Sequence, residues 1–239
     1  MLLSSSDDVS DAARVLSRGD LTLREADVKL LRSPDAWLND SLLTFRLQRL
    51  AESLGDDSVA LLDASVGYFL CQVSPEEAHV VAEPLRLSTR KLVVAPLSDN
   101  KRPDVALGGS HWTLLAFWPD AEKSRCCLYD SVCTTPAGRR ASSEAKAVAA
   151  ALATACGLKT TPPVETLACP RQANASDCGL HVLLAAEAIC NAHSAHGGPP
   201  SAAELERFVT PEAAAVLRRS MLDDIYSLAA QPAEDEWLL

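Results

Sequence analysis

A cysteine that opens one apolar run, a histidine that opens another and a carboxylate that closes a third are the side chains that could do chemistry together. The cysteine lies in Gln172-Ala173-Asn174-Ala175-Ser176-Asp177-Cys178-Gly179-Leu180-His181-Val182-Leu183-Leu184. A polar, turn-forming run ends at Asp-Cys-Gly and becomes almost wholly apolar through Ile189 and Cys190. That is the pattern of a loop feeding the first turn of a buried helix. Cys178 then opens the helix, where unpaired N–H groups and the positive end of the macrodipole favour a negative charge. A thiolate is such a charge, and it is the reactive form of the side chain. Gly179 leaves room for a close approach to the sulfur. By itself the stretch also fits a structural cysteine at the start of a core helix, since free cysteine is among the most buried residue types.

The histidine and the carboxylate belong to a hairpin. His111–Trp118 reads as a strand that is apolar on both faces, as a strand inside a sheet must be. Pro119-Asp120-Ala121-Glu122-Lys123-Ser124 turns the chain, and Arg125–Asp130 returns. In an antiparallel pair the start of the first strand lies beside the end of the second, so His111 and Asp130 should meet at one edge of the sheet. A carboxylate beside an imidazole fixes its tautomer and stabilises its charged form. If the Cys178 helix abuts that edge, the result is a nucleophile, a base and an orienter. Gln172, six residues upstream of Cys178, and the Cys178 backbone N–H are candidate donors to an oxyanion. Together these parts describe acyl transfer at a thiol. Singly, each has a plainer reading: a strand histidine, a turn carboxylate, a surface glutamine.

The elements that must position them follow along the chain. Leu21 to Leu31 gives a short alternating run, with a turn at Ser33-Pro34. Asn39 or Asp40 caps a helix over Ser41–Leu54, which closes at Gly55. Shorter helices are expected over Ala64–Val73 and Pro75–Ala82, and a buried strand over Lys91–Leu97. Ser98–Ser110 is a long, breaker-rich loop. Ser142–Cys156 is an Ala-rich helix, Val164–Leu167 an edge strand, and Cys178 to about His193 the central helix. Ser201–Val209 and Pro211–Ala229 close the chain, the latter capped by Thr210. This is a single α+β domain over residues 14–230: a central mixed sheet flanked by helices, between a flexible N-terminus (1–13) and a flexible acidic tail (231–239).

Composition narrows the setting. The chain has 239 residues, 48 % hydrophobic and 23 % charged, a globular balance. It shows no uninterrupted apolar run long enough for a membrane helix and no signal-peptide pattern at Met1–Asp8, so the cytosol or nucleus is the expected location. Eight cysteines lie mostly in apolar segments of a chain large enough to need no disulfides. No C-x-x-C pair and no histidine ligand spacing occur, so neither metal nor cofactor is expected. A net charge of −10 argues against a nucleic-acid partner and suits a partner with a basic tail. Nothing demands a dimer, and a monomer is expected.

The segments Gly108-Gly109-Ser110-His111-Trp112-Thr113-Leu114-Leu115, Tyr129-Asp130-Ser131, Gln172-x-Asn-x-x-Asp177-Cys178-Gly179 and Trp37-Leu38-Asn39-Asp40 together resemble a family. It is that of the ubiquitin-like-modifier cysteine proteases, sentrin/SUMO-specific and adenovirus-protease-like, and the likeness runs from about Leu21 to Leu228. Glu83-Pro84-Leu85 and Ser98-Asp99-Asn100 look most like its deneddylase branch. One departure is Ala175-Ser176, where related members often carry a bulkier residue. The resemblance implies a cysteine-protease-like fold with the nucleophile at the N-terminus of a buried helix. It implies His111 as base, Asp130 as orienter, Cys178 as nucleophile and Gln172 as oxyanion donor. Trp37 and Trp112 would cover a narrow channel and Asp40 would hold the substrate's extended tail. The implied reaction is hydrolysis after the C-terminal Gly-Gly of a Nedd/Rub modifier, from its precursor and from lysines of cullin-type conjugates.

A channel pinched by two tryptophans leaves no room for a Cβ, which selects a glycine-ended tail. Such a slot discriminates by only ~1–3 kcal/mol per methylene, so the modifier's globular surface must add selectivity, with the Ser98–Ser110 loop as a candidate clamp. The alternatives are a SUMO- or ubiquitin-directed protease, a non-catalytic modifier-binding module, and more distantly a thiol-dependent acetyltransferase.

Overall fold

The computed structural model describes residues 10–74, 76–78, 80, 83–100, 109–133 and 141–231. Residues 1–9 of the expected flexible N-terminus and 232–239 of the acidic tail lie outside it. The first described element was not among those expected: β1 (Arg14–Arg18) and β2 (Leu21–Arg24) form an antiparallel hairpin. Its two-residue turn is Gly19-Asp20, with Gly19 in the left-handed region at φ 54°, a combination that marks such turns. The Ala12 carbonyl accepts from the Arg24 side chain and the Ala13 carbonyl from the Glu25 backbone, tying the chain's approach to the hairpin.

Helix α1 (Glu25–Arg32) follows at once, so only the first residues of the Leu21–Leu31 run are strand. Helix α2 (Asp40–Leu54) starts where Asn39 Oδ1 accepts from the Leu42 N–H at 3.1 Å, and ends at Gly55. A three-residue strand, β3 (Val59–Leu61), was also not expected; it precedes α3 (Ala64–Gln72). Of the helix expected over residues 75–82, positions 75, 79, 81 and 82 lie outside the described residues, and 76–78 form a turn.

Strands β4 (Leu92–Ser98), β5 (Trp112–Trp118) and β6 (Arg125–Tyr129) are antiparallel neighbours. Helix α4 (Ser143–Ala155) leads to β7 (Val164–Leu167), the edge strand anticipated from sequence. The sheet order is β3-β4-β5-β6-β7, with β3 and β7 parallel to their neighbours, so the sheet is mixed and the fold α+β.

Both faces of the three inner strands are buried, because successive side chains alternate between faces. Leu92, Val94, Leu114, Ala116, Cys127 and Tyr129 point to one core, which holds the hairpin, α2 and the last three helices. Val93, Ala95, Leu97, Leu115, Phe117, Cys126 and Leu128 point to the other, covered by α3 and α4. The last three helices are α5 (Cys178–His196), α6 (Ala202–Phe208) and α7 (Pro211–Ala229). Helix α5 is buried on nearly every side from Cys178 to Ala192 because β5, α2, α6 and α7 all pack on it. A helix apolar all round belongs at the centre of a domain, and its first turn is thereby held against the end of the sheet. Among the described residues, no helix is long and apolar enough to cross a membrane.

Candidate active site

His111 stands one residue before β5 and Asp130 one residue after β6, at the same end of the sheet. The register that pairs Leu114 with Tyr129 carries them together. His111 Nε2 lies 2.8 Å from Asp130 Oδ1, and the two side chains are 21 % and 13 % exposed. Asp130 Oδ1 also accepts from the Val132 N–H at 2.9 Å, which holds the carboxylate in place.

The histidine's backbone is fixed by a residue that the sequence reading had not singled out for a role. Asp99 accepts from the Ser110 N–H at 2.5 Å, the Ser110 hydroxyl at 2.5 Å and the His111 N–H at 2.9 Å. Partial burial works against the Asp99 charge, but these bonds outweigh it and hold the carboxyl below its ordinary range. A Cβ on Gly109 would stand 2.5 Å from Ser98 Oγ. The two ends of the Ser98–Ser110 loop are therefore seamed together; residues 101–108 of the proposed clamp lie outside the described residues.

Cys178 is the first residue of α5 and is 1 % exposed. Buried though it is, it lies close enough to the His111 ring to bear on the charge of that ring. With Nε2 committed to Asp130, Nδ1 is the ring nitrogen left for the sulfur. Burial works against a charged His111, but the bond to Asp130 and the negative charges of Asp130 and Cys178 outweigh it, and the pKa is pushed up to about 9. The imidazole is therefore held as the cation at neutral pH.

What approaches Gly179 closely is the protein itself. A Cβ there would lie 3.1 Å from Leu38 Cβ and 3.2 Å from Leu43 Cδ1. The glycine lets α5 pack against α2 and the segment before it, a different use from the open space beside the sulfur expected of it. The Leu38 carbonyl in turn accepts from the Trp112 indole N–H at 2.9 Å, which brings Trp112 against the Trp37-Leu38 segment. Trp37 is 41 % exposed. Asn39, which caps α2, also donates from Nδ2 to the buried Asp27 at 2.6 Å and so anchors this segment. Asp40 is exposed and lines a cavity of about 200 Å³ with Asp20, Thr44, Gln48 and Asp63, among others. The described walls of that cavity include none of Cys178, His111 and Asp130.

The loop before Cys178 is closed by its own polar side chains. Gln172 is buried, its Oε1 accepts from the Ser131 hydroxyl at 2.6 Å, and its Nε2 donates to the Asn174 carbonyl at 2.7 Å. The Gln172 N–H donates to the Ser131 carbonyl at 3.0 Å. Asn174 Oδ1 accepts from the Ser176 and Asp177 N–H groups, and its Nδ2 donates to Asp177. Asp177 is the helix N-cap by position, yet its side chain makes no capping bond. The first N–H groups of α5, which no helix can satisfy internally, are not taken by it. Sequence reasoning missed Asp99, Ser131 and Asn174 as parts of the site. The Asn174-to-Asp177 spacing was a usable signal, since Asn side chains close such turns locally.

A sheet end that presents an imidazole to a carboxylate on one side and to a helix-opening thiol on the other defines a class: thiol hydrolases of α+β fold. The model of the "Ulp1 protease family, C-terminal catalytic domain" matches residues 87–199. Human sentrin-specific protease 8 is 36 % identical over 182 residues, 74 % of this chain and 81 % of that one. Arabidopsis thaliana NEDD8-specific protease 1 is 28 % identical over 190 residues, 79 % of this chain and 80 % of that one. Among solved structures, the C-terminal Ulp1 protease domain in complex with Smt3, the yeast ortholog of SUMO, superposes with a TM-score of 0.67 at 18 % identity, covering 97 % of each chain. The chain belongs to the Ulp1 protease family and is a cysteine-type peptidase.

Proposed function

We propose that the protein hydrolyses the bond after the C-terminal Gly-Gly of a NEDD8 (Rub) type ubiquitin-like modifier, in the precursor and in isopeptide conjugates such as those of cullins. The observation that carries this reading is the His111 ring bonded to Asp130 at 2.8 Å, with Cys178 near enough to act on its charge. In the reaction the Cys178 sulfur attacks the terminal glycine carbonyl carbon. The His111 imidazolium then gives its proton to the leaving amine, and a thioester remains. His111 next takes a proton from water, whose oxygen adds to the thioester carbonyl, and Cys178 departs. Asp130 keeps the ring in orientation and steadies its charge throughout. The developing oxyanion receives the Cys178 N–H and the second amide hydrogen of Gln172, whose first is held by Asn174.

Three observations support the modifier tail as substrate. Cys178 is 1 % exposed, which suits approach by a slender strand without side chains. Trp112 packs on the segment that carries the exposed Trp37, which suits a cover over two glycines. The named relatives include a NEDD8-specific protease. Asp40, at the exposed start of α2, would hold the more distant part of the tail. A second reading, a SUMO-directed enzyme, is favoured by the fold likeness to the Smt3-bound domain. A panel of NEDD8, SUMO and ubiquitin carrying C-terminal fluorophores separates them. NEDD8 is expected to be turned over at least tenfold faster than either of the others, and preferential turnover of SUMO or ubiquitin would overturn the assignment.

A further inference from the structure

The site rests on an arginine far from it in sequence. Arg218, on α7, is 6 % exposed. Its Nη1 donates to the carbonyls of Leu30 at 2.9 Å and Ser33 at 3.1 Å, and its Nη2 to the carbonyl of Ala36 at 2.9 Å and to Asp177 Oδ1 at 3.1 Å. The three carbonyls belong to the end of α1 and the chain leading to Trp37. The carboxylate belongs to the residue beside Cys178. A planar guanidinium can serve four such acceptors from one place, and a lysine ammonium cannot.

The charge matters as much as the bonds. The Asp177 side chain is only 17 % exposed and sits next to the sulfur in the chain. A half-buried carboxylate beside Cys178 in the chain opposes a thiolate by like-charge repulsion. It also works against the field of the helix N-terminus. Arg218 cancels that charge. The bonds run on without a break: Asp177 accepts from Asn174, the Asn174 carbonyl accepts from Gln172, and Gln172 accepts from Ser131, the neighbour of Asp130.

We propose that Arg218 is a positioning residue for the reaction. It offsets Asp177 so that Cys178 can carry negative charge, and it sets the Trp37 segment and the Gln172 loop relative to the sulfur. This rests on the reading of Cys178 as nucleophile.

The test uses the full chain and iodoacetamide at pH 7, with alkylation followed by mass spectrometry of the Cys178 peptide and folding checked by near-ultraviolet circular dichroism. Folded Arg218→Gln is expected to slow alkylation of Cys178 about tenfold, because the uncompensated Asp177 charge then opposes the thiolate. Adding Asp177→Asn to it should recover most of that loss, because the unpaired carboxylate is then gone. A purely structural arginine would give a double variant no faster than the single one, and that result would overturn the proposal, as would unchanged alkylation in Arg218→Gln.

Arg218→Lys gives an independent reading should the glutamine variant not fold. It keeps the charge but not the fork, so alkylation should stay within about twofold of the parent while KM for a modifier–fluorophore substrate rises at least threefold. An unchanged KM, or alkylation slowed as much as turnover, would count against it. Turnover of the same substrate by Cys178→Ser at the parent rate would instead remove the reading of Cys178 on which the proposal rests.

Discussion

In the proposed reaction His111 is the residue on which the chemistry turns, because there it must hold a proton while facing a thiol and release it to a leaving amine. Its bond to Asp130 and the nearby Cys178 overcome burial and push its pKa up to about 9, so the alkaline limb of kcat/KM is expected near pH 9. Asp130→Asn removes the carboxylate charge and leaves only a neutral amide acceptor, so that limb should move toward the ordinary value of 6.5 and the rate fall at every pH above it. An alkaline limb unmoved by the substitution would separate Asp130 from the ring. The sign for stability is the same. A raised histidine pKa contributes stability that is fully present below pH 6.5 and is lost as pH rises through about 9. Gln172→Ala should cost on the order of 10²–10³ in kcat with little change in KM, as loss of one oxyanion donor does. Steady-state kinetics on a modifier–fluorophore substrate measure this, and parent-like kcat would remove Gln172 from the reaction.

At the scale of elements, the helix that begins with Cys178 is placed by what packs around it. Gly179→Ala puts a methyl 3.1 Å from Leu38 and 3.2 Å from Leu43. The variant is expected to lose about 1–3 kcal/mol of stability in urea unfolding, and its rate should fall more than its stability explains because the sulfur shifts with the helix. A rate loss no larger than a comparable destabilisation elsewhere would show that the packing serves stability alone. Most elements around this helix were legible. The 3.6-residue pattern with Thr210 and Pro211 marked the last helix, and Asn39 and Gly55 marked α2. The β1–β2 hairpin was not read, although its Gly-Asp turn was available. Its burial pattern explains why: in β1 only Leu16 is buried, so it has no apolar alternation to see. β3 is three residues long and takes its identity from pairing beside β4, not from its own sequence.

Across the whole molecule, the groups proposed to react lie at positions 111, 130 and 178, and the fold brings them to one sheet end. Cys178, His111 and Asp130 could be proposed from sequence because each marks the boundary of a periodic run, and boundaries are what periodicity locates. Asp99 and Arg218 could not, because their roles come from backbone atoms of segments that meet only on folding. Arg218→Ala would leave three carbonyls without this donor and a half-buried carboxylate without its counter-charge, and a loss of about 3 kcal/mol is expected from chemical denaturation, at the low end for broken buried pairs. The proposed reaction is attack by Cys178 on the carbonyl at the end of a NEDD8-type tail. Its most direct test is NEDD8 carrying a C-terminal vinyl methyl ester, incubated with the protein and mapped by peptide mass spectrometry. A single adduct on Cys178, abolished in His111→Ala at neutral pH, is the predicted result. An adduct on any of the other cysteines, or none while the protein remains folded, would contradict it.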